Sequence, residues 1–268
     1  ETGPAYKRPA FDMVAQGYGG GMSITGQEGS PPTRAGIPIG DLGGGMFGAI
    51  GILAALHARE RTGHGQHIDI SMQDCQISLV NYMATMYFLS DEVPGALGNA
   101  HFVHVPYNTY PTKDRWLIIA VITNEAWARF SDMVDIEELK NDEFDLQPGR
   151  LAAKDFIEGH IIARLKQESC DHWLEKMSEA KIASAPVNDL EHALNDVQVR
   201  ARNMVVTVEH PEGGEIQMTG NPIKLSDSGE ETFSSPPLLG QQTDEVLREL
   251  LGKSDNDIAA LREAGTIG

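Results

Sequence analysis

The stretch from Gly17 to Gly45 carries so much glycine that it sets what the first part of this chain can become. It reads GYGGGMSITGQEGS and then, a few residues on, GIPIGDLGGG. Each glycine inside a helix costs about 1 kcal/mol relative to alanine. Such a segment therefore reads as turns and close backbone approach, not as long regular elements. From Met46 to Arg61 the pattern becomes helical: Met46, Ala49, Ile50, Leu53, Ala54 and His57 recur at three- and four-residue steps. Gly63 is a stop signal, with Arg59 and Arg61 in the last turn, where cations suit the helix dipole.

Beyond it, His67–Ser71 (HIDIS) alternates and predicts a strand with Ile68 and Ile70 inward. Residues 73–89 read as one apolar helix, and 91–106 as a loop with Pro94, Gly95 and Gly98. Trp116–Ile122 reads as a buried strand, with Asn124 as the cap of a following helix. Helices are expected near 151–167 and 171–180, strands at 204–210 and 214–220, and terminal helices near 242–251 and 255–264. This order of helix, turn, strand and helix predicts an α/β fold.

The 268 residues allow one or two domains with a sizeable core. Thirty-nine acidic against 21 basic residues give a formal charge of −18. That excludes a nucleic-acid footprint and docking on an anionic membrane. No run of apolar residues reads as long enough to span a bilayer. The two cysteines, Cys75 and Cys170, form neither a disulfide framework nor a zinc site, so a cytoplasmic location is expected. The opening ETGPAYKRPAFD lacks the features of a signal peptide and reads as the middle of a longer protein.

Several familiar signatures fall short. Gly252-Lys253-Ser254 ends like a phosphate loop, but its earlier glycine is replaced by Leu247. Gly21–Gly26 is one residue too long for a nucleophile elbow, and Gly17 and Gly19 are followed by Met22 where a dinucleotide fingerprint needs glycine. His101 and His104 have no ligand cluster near them in sequence, so no metal site is expected. What remains is Asp41, between GIPIG and LGGGM, just before the helix expected from Met46. A carboxylate there faces a helix N-terminus, which favours negative charge. Glycine walls leave it open to a substrate, so it can serve as a covalent nucleophile or as a plain helix cap.

Longer strings go further. RPAFDMVAQGYGGGMSITG, GSPPTRAGIPIGDLGGGMFGAIGILAAL and RERTGHGQHIDISMQD resemble the central signature of the family III CoA-transferases. GNAHFVHVPY with TYPTKDRWLIIAV resembles that family's entry into its small domain, and PLLGQQTDEVLREL its C-terminal signature. The resemblance runs from Arg8 to about Leu251 and leaves a front part of the family unmatched.

The resemblance implies an α/β fold: a large domain with a Rossmann-like, CoA-binding core, incomplete here, and a smaller α+β domain. Residues 1–90 and 186–268 would belong to the large domain, and 91–185 to the small one. Two subunits interlock in relatives, so a homodimer or a complementing N-terminal segment is expected. Asp41 would be the nucleophile, passing through an aspartyl anhydride and an aspartyl-CoA thioester. Arg8, Pro9, Ala10, Phe11 and Asp12 would contact coenzyme A. Gly98, Asn99 and His101 would lie on a loop over the reacting aspartate. Acyl-CoA and a small carboxylic acid would be substrates, with no permanently bound cofactor and no metal. Two rivals remain on this reading: a racemase-like isomerase, whose base should fall near Arg8 where no histidine stands, and a non-catalytic subunit.

Overall fold

The computed structural model describes residues 2–229 and 231–268. It is a mixed α/β chain that falls into two compact units, Glu1–Val187 and Asn188–Gly268.

The first unit opens with helix α1 (Asp12–Tyr18) and a short 3-10 turn, followed by α2 (Ile39–Thr62), α3 (Met72–Leu79) and α4 (Tyr82–Ser90). Strands β1 (Tyr107–Pro111) and β2 (Trp116–Ala120) come next, then helices α5 (Asn124–Val134), α6 (Gln147–Ala152), α7 (Lys154–Leu165) and α8 (Cys170–Glu179), and strand β3 (Ala183–Pro186). The three strands form an antiparallel sheet in the order β1-β2-β3, with Tyr110 opposite Leu117 and Ile119 opposite Ser184. Leu117, Ile119 and Val121 alternate toward helices that contribute Trp127, Phe130, Ile157, Ile161, Trp173 and Met177, all fully or almost fully buried. At 25 cal/mol per Å² such burial is the dominant favourable term in this unit.

Arg150 lies inside this core with no exposed surface. Its guanidinium donates to the carbonyls of Val105, Phe144 and Asp145 at 3.0, 2.7 and 3.0 Å. It also donates to Asn124 Oδ1 and Gln147 Oε1 at 3.0 and 2.9 Å. Its central carbon stands 5.2 Å from the Trp127 ring centroid.

The second unit contains α9 (Leu190–Asn195), α10 (Val197–Ala201), the hairpin of β4 (Val205–His210) and β5 (Gly214–Thr219), then α11 (Thr243–Glu249) and α12 (Asp255–Glu263). Val206 pairs with Met218 and Val208 with Ile216 across the hairpin. Ser254 and Asp257 form a capping box on α12.

Several expectations need correction. Helix α2 starts at Ile39, not Met46, and runs for 24 residues through the glycines. That makes it long and apolar enough, by length and composition, to cross a membrane, although the apolar run alone looked too short. HIDIS is not paired into a sheet; Ile68 and Ile70 instead lie beside Gly51 of α2. Alternation signals a strand only where a partner strand is available. The 73–89 helix is broken at Asn81, whose φ of 46° takes the chain out of helical geometry. Thr123, not Asn124, caps α5, through a bond from Ala126 N–H to its hydroxyl. Among the described residues every strand pairing is antiparallel, so the parallel sheet of a Rossmann-like core is not seen.

Candidate active site

The start of α2 is held by a polar frame. Its capping residue is Pro38, which offers no side-chain bond to the free N–H groups. The missing cap comes from 28 residues earlier: Asp12 Oδ1 accepts the Gly40 N–H at 2.8 Å. Asp12 Oδ2 accepts from Gln16 Nε2 at 2.9 Å, and Gln16 Oε1 accepts the Ala35 N–H at 2.9 Å. From the other side, Gln76 of α3 donates to the Ile39 carbonyl at 3.2 Å. Gln16 and Gln76 are both buried, so each bond spares a desolvated amide. A carboxylate at this end also meets the positive pole of α2.

The frame closes only because the residues at its contacts are small. A Cβ on Gly40 would lie 2.9 Å from the Asp12 carbonyl oxygen, and one on Gly43 would lie 3.0 Å from Leu79 Cδ1. These glycines are therefore spent on close approach of α1 and α3 to α2, which offsets their poor helix propensity.

Asp41 follows Gly40 directly. It stands in the first turn of α2, not before the helix, and is exposed. Among the described residues no hydrogen bond or ion pair engages its carboxylate, so the capping role expected as its alternative falls to Asp12. The backbone beneath Asp41 is fixed by this frame, while its carboxylate is exposed.

The expected coenzyme A segment leads straight into this frame. The Arg8 N–H closes a turn onto the Ala5 carbonyl at 2.9 Å. Arg8, Pro9, Ala10 and Phe11 are exposed, Phe11 to 81 %. Asp12 differs from them, because its carboxylate is committed to Gly40 and Gln16.

Gly98, Asn99 and His101 sit together on the loop before β1. Gly98 has φ 64°, and its N–H donates to the Gly26 carbonyl at 2.8 Å. Asn99 Nδ2 donates to Thr109 Oγ1 at 3.0 Å. His101 Nδ1 accepts two backbone N–H groups, from Val103 at 3.0 Å and His104 at 3.1 Å. Its ring stacks on Phe102 and Tyr107, with centroids 4.4 and 5.1 Å apart. Burial, and next the neighbouring His104, hold the His101 pKa below its usual value. Among the described residues no hydrogen bond or ion pair joins this loop to Asp41.

Beside the loop lies a cavity of about 190 Å³, lined chiefly by Ile24, Tyr82, Met83, Leu97, His101 and Phe102. A larger, open hollow of about 550 Å³ runs along residues 237–247 in the second unit and holds none of the expected site residues. Among the described residues no group of three or more His, Cys, Asp or Glu side chains is placed to hold a metal ion.

Sequence reading missed Gln16, Gln76 and the capping role of Asp12. The available signal was weak: two glutamines within otherwise small or apolar helical patterns, AQGYG and DCQIS.

The mixed α/β chain with an open aspartate on a clamped helix start has the fold of the CaiB/BaiF proteins. The structure of such a protein from Brucella suis matches 93 % of this chain and 65 % of its own, at 30 % identity and a TM-score of 0.81. CoA-transferase family III matches residues 1–243, and the chain belongs to that family. A human succinyl-CoA:glutarate CoA-transferase is 29 % identical over all of this chain and 61 % of its own length. A succinyl-CoA:mesaconate CoA-transferase from Haloarcula marismortui is 32 % identical over 92 % of this chain and 63 % of its own. The chain thus spans a little over three fifths of these relatives.

Proposed function

We propose that this chain carries the reacting aspartate of a CoA-transferase that moves coenzyme A from an acyl-CoA thioester to a small carboxylic acid. The observation that carries the reading is the position of Asp41: exposed, without a partner among the described residues, and on the first turn of a helix whose start is clamped by Asp12, Gln16 and Gln76. Family membership supports the reaction class.

In the proposed sequence an Asp41 carboxylate oxygen attacks the thioester carbonyl and expels the CoA thiolate, leaving an acyl–aspartyl anhydride. The thiolate attacks the Asp41 carbonyl carbon of that anhydride, which releases the first acid as its carboxylate and forms aspartyl-CoA. The incoming carboxylate attacks this thioester, freeing the thiolate again and forming a second anhydride. Attack of the thiolate on the new acyl carbon gives the product thioester and restores Asp41. Every step is an acyl transfer, so what the protein must supply is a fixed nucleophile and N–H groups near the developing oxyanions. The clamped start of α2 offers the first; among the N–H groups described there, those of Ile39, Gly40 and Leu42 are already bonded, to the Ile37 carbonyl, Asp12 Oδ1 and the Pro38 carbonyl, which leaves that of Asp41 for an oxyanion.

The same reading gives Arg8, Pro9, Ala10 and Phe11 to coenzyme A, with Asp12 acting on Asp41 through the helix start. It assigns residues 1–90 and 186–268 to a CoA-binding domain, Rossmann-like in its whole form, and 91–185 to a smaller domain. The compact core of residues 105–182 supports the latter. It also gives the exposed apolar side chains of α2, among them Met46, Ile50 and Leu53, to contact with a second copy of the chain. Replacement of Asp41 by Asn should abolish transfer by several orders of magnitude while coenzyme A binding survives, because the stepwise route is lost but the binding surface is not. Near-normal turnover of Asp41→Asn would exclude the covalent route.

A further inference from the structure

Residues 72–90 (MQDCQISLVNYMATMYFLS) contain neither glycine nor proline, yet two helices stand where the pattern reads as one. The break is a tight turn. The Met83 N–H donates to the Val80 carbonyl at 3.0 Å, and Asn81 between them has φ 46° and ψ −119°. Those angles belong to the first central position of a type II′ turn, where glycine is the residue without steric cost. An asparagine there carries backbone strain. Its short side chain can relieve such strain through a local hydrogen bond, but that of Asn81 is exposed and makes none at the helix start.

The two halves are held unequally. On the α3 side Gln76 donates to the Ile39 carbonyl at 3.2 Å, a Cβ on Gly19 would collide with Gln76 Cβ, and one on Gly43 would lie 3.0 Å from Leu79 Cδ1. Helix α3 is therefore fixed against the start of α2. Helix α4 has nine residues, too few for a helix stable by itself, and none of them is buried. Phe88 and Leu89 are 79 % and 83 % exposed. Among the described residues its one ring contact beyond the helix is Tyr82 with Phe102, on the loop before β1, at a centroid distance of 5.7 Å. Strain at the joint and thin packing beyond it bring the broken form close in free energy to a continuous helix, which regains the backbone bonds lost across Asn81.

We infer that Asn81 is a hinge: α3 stays on α2 while α4 swings between the broken form and one continuous with α3. The swing draws Tyr82 away from Phe102 and loosens the loop of residues 95–102. The hinge thus links the helix that clamps the start of α2 to the loop carrying Gly98, whose N–H is held on the Gly26 carbonyl at 2.8 Å. It operates whatever chemistry Asp41 performs.

The test places spin labels on the intact chain through Asp74→Cys and Phe88→Cys, both exposed positions, with Cys75 and Cys170 buried away from the label. A continuous helix sets the two positions about 21 Å apart at 1.5 Å per residue, and the broken form gives a second distance. Asn81→Ala favours the helix and disfavours positive φ, so it should raise the ratio of continuous to broken form at least about threefold. Asn81→Gly accepts the turn without strain and should lower that ratio about fivefold or more. Both replace an exposed side chain, so the fold is kept. Hydrogen exchange of the Gly98 amide should follow, faster in Asn81→Ala and slower in Asn81→Gly. A single distance that neither substitution moves, or shifts of both variants in the same direction, would overturn the hinge. Distances that move while Gly98 exchange stays constant would overturn its link to the loop.

Discussion

Replacing Arg150 by Met should destabilise the first unit by about 3–4 kcal/mol, the cost of three unsatisfied buried carbonyls less the relief of guanidinium desolvation. The arithmetic starts from five acceptors around a guanidinium with no exposed surface. The amides of Asn124 and Gln147 can rotate toward other partners. The carbonyls of Val105, Phe144 and Asp145 are fixed in the backbone, and each costs about 1–3 kcal/mol if left unsatisfied. Against that total of about 3–9 stands the relief of guanidinium desolvation, worth several kcal/mol. Met preserves the volume of the stem, so little cavity term is added. Urea unfolding followed by tryptophan emission is a direct assay, because Trp127 lies 5.2 Å from the guanidinium carbon. With a slope of about 2 kcal/mol per molar, the midpoint should fall by about 2 M. Arg150→Lys should fare nearly as badly, since one ammonium cannot span carbonyls on both the 103–106 loop and the 144–145 turn. A midpoint shift below about 0.5 M for Met would refute the view that these bonds hold the loop in place.

Three further outcomes are expected. Asp12→Ala removes the distant cap of α2 and leaves Gln16 short of a partner, so thermal melting should show a loss of about 1–2 kcal/mol and transfer should slow through misplacement of Asp41; wild-type stability in this variant would exclude the clamp. His101 has a folded pKa below its ordinary 6.5, so the unfolded chain binds more protons as the solution acidifies. Its contribution to stability is complete above pH 6.5 and is lost progressively below it, and His101→Asn should flatten that part of a stability–pH profile. Sedimentation should show self-association through the exposed apolar side of α2, with Leu53→Glu shifting the protein toward a lower mass; identical profiles for both would exclude that face.

The sequence made some of this architecture plain. The β4–β5 hairpin, β2, α8, α11 and α12 all stand where local pattern puts them, because each combines a clear period with its own turn or cap. Helix α2 was legible only from Met46 onward. Its first turns contain Gly40, Gly43, Gly44 and Gly45, which argue against a helix until α1 is seen packed against Gly40 and α3 against Gly43 and Gly44. Its cap also comes from Asp12, outside any local window. Asp41 could be singled out as a candidate, but its position inside the first turn depended on that distant cap. Arg150 in QPGR looked like any solvated arginine, since nothing local reveals that its five acceptors converge from three separate segments. HIDIS failed for the opposite reason: its alternation was real, but alternation carries no information about a pairing partner.

The central claim is that Asp41 forms covalent acyl intermediates, and the most direct measurement is trapping of that adduct. The protein is mixed with an acyl-CoA, quenched with hydroxylamine, digested and mapped by mass spectrometry. Conversion of Asp41 to its hydroxamate, dependent on the thioester and absent in Asp41→Asn, is the predicted result. An unmodified Asp41 in protein that is transferring coenzyme A at full rate would contradict the account.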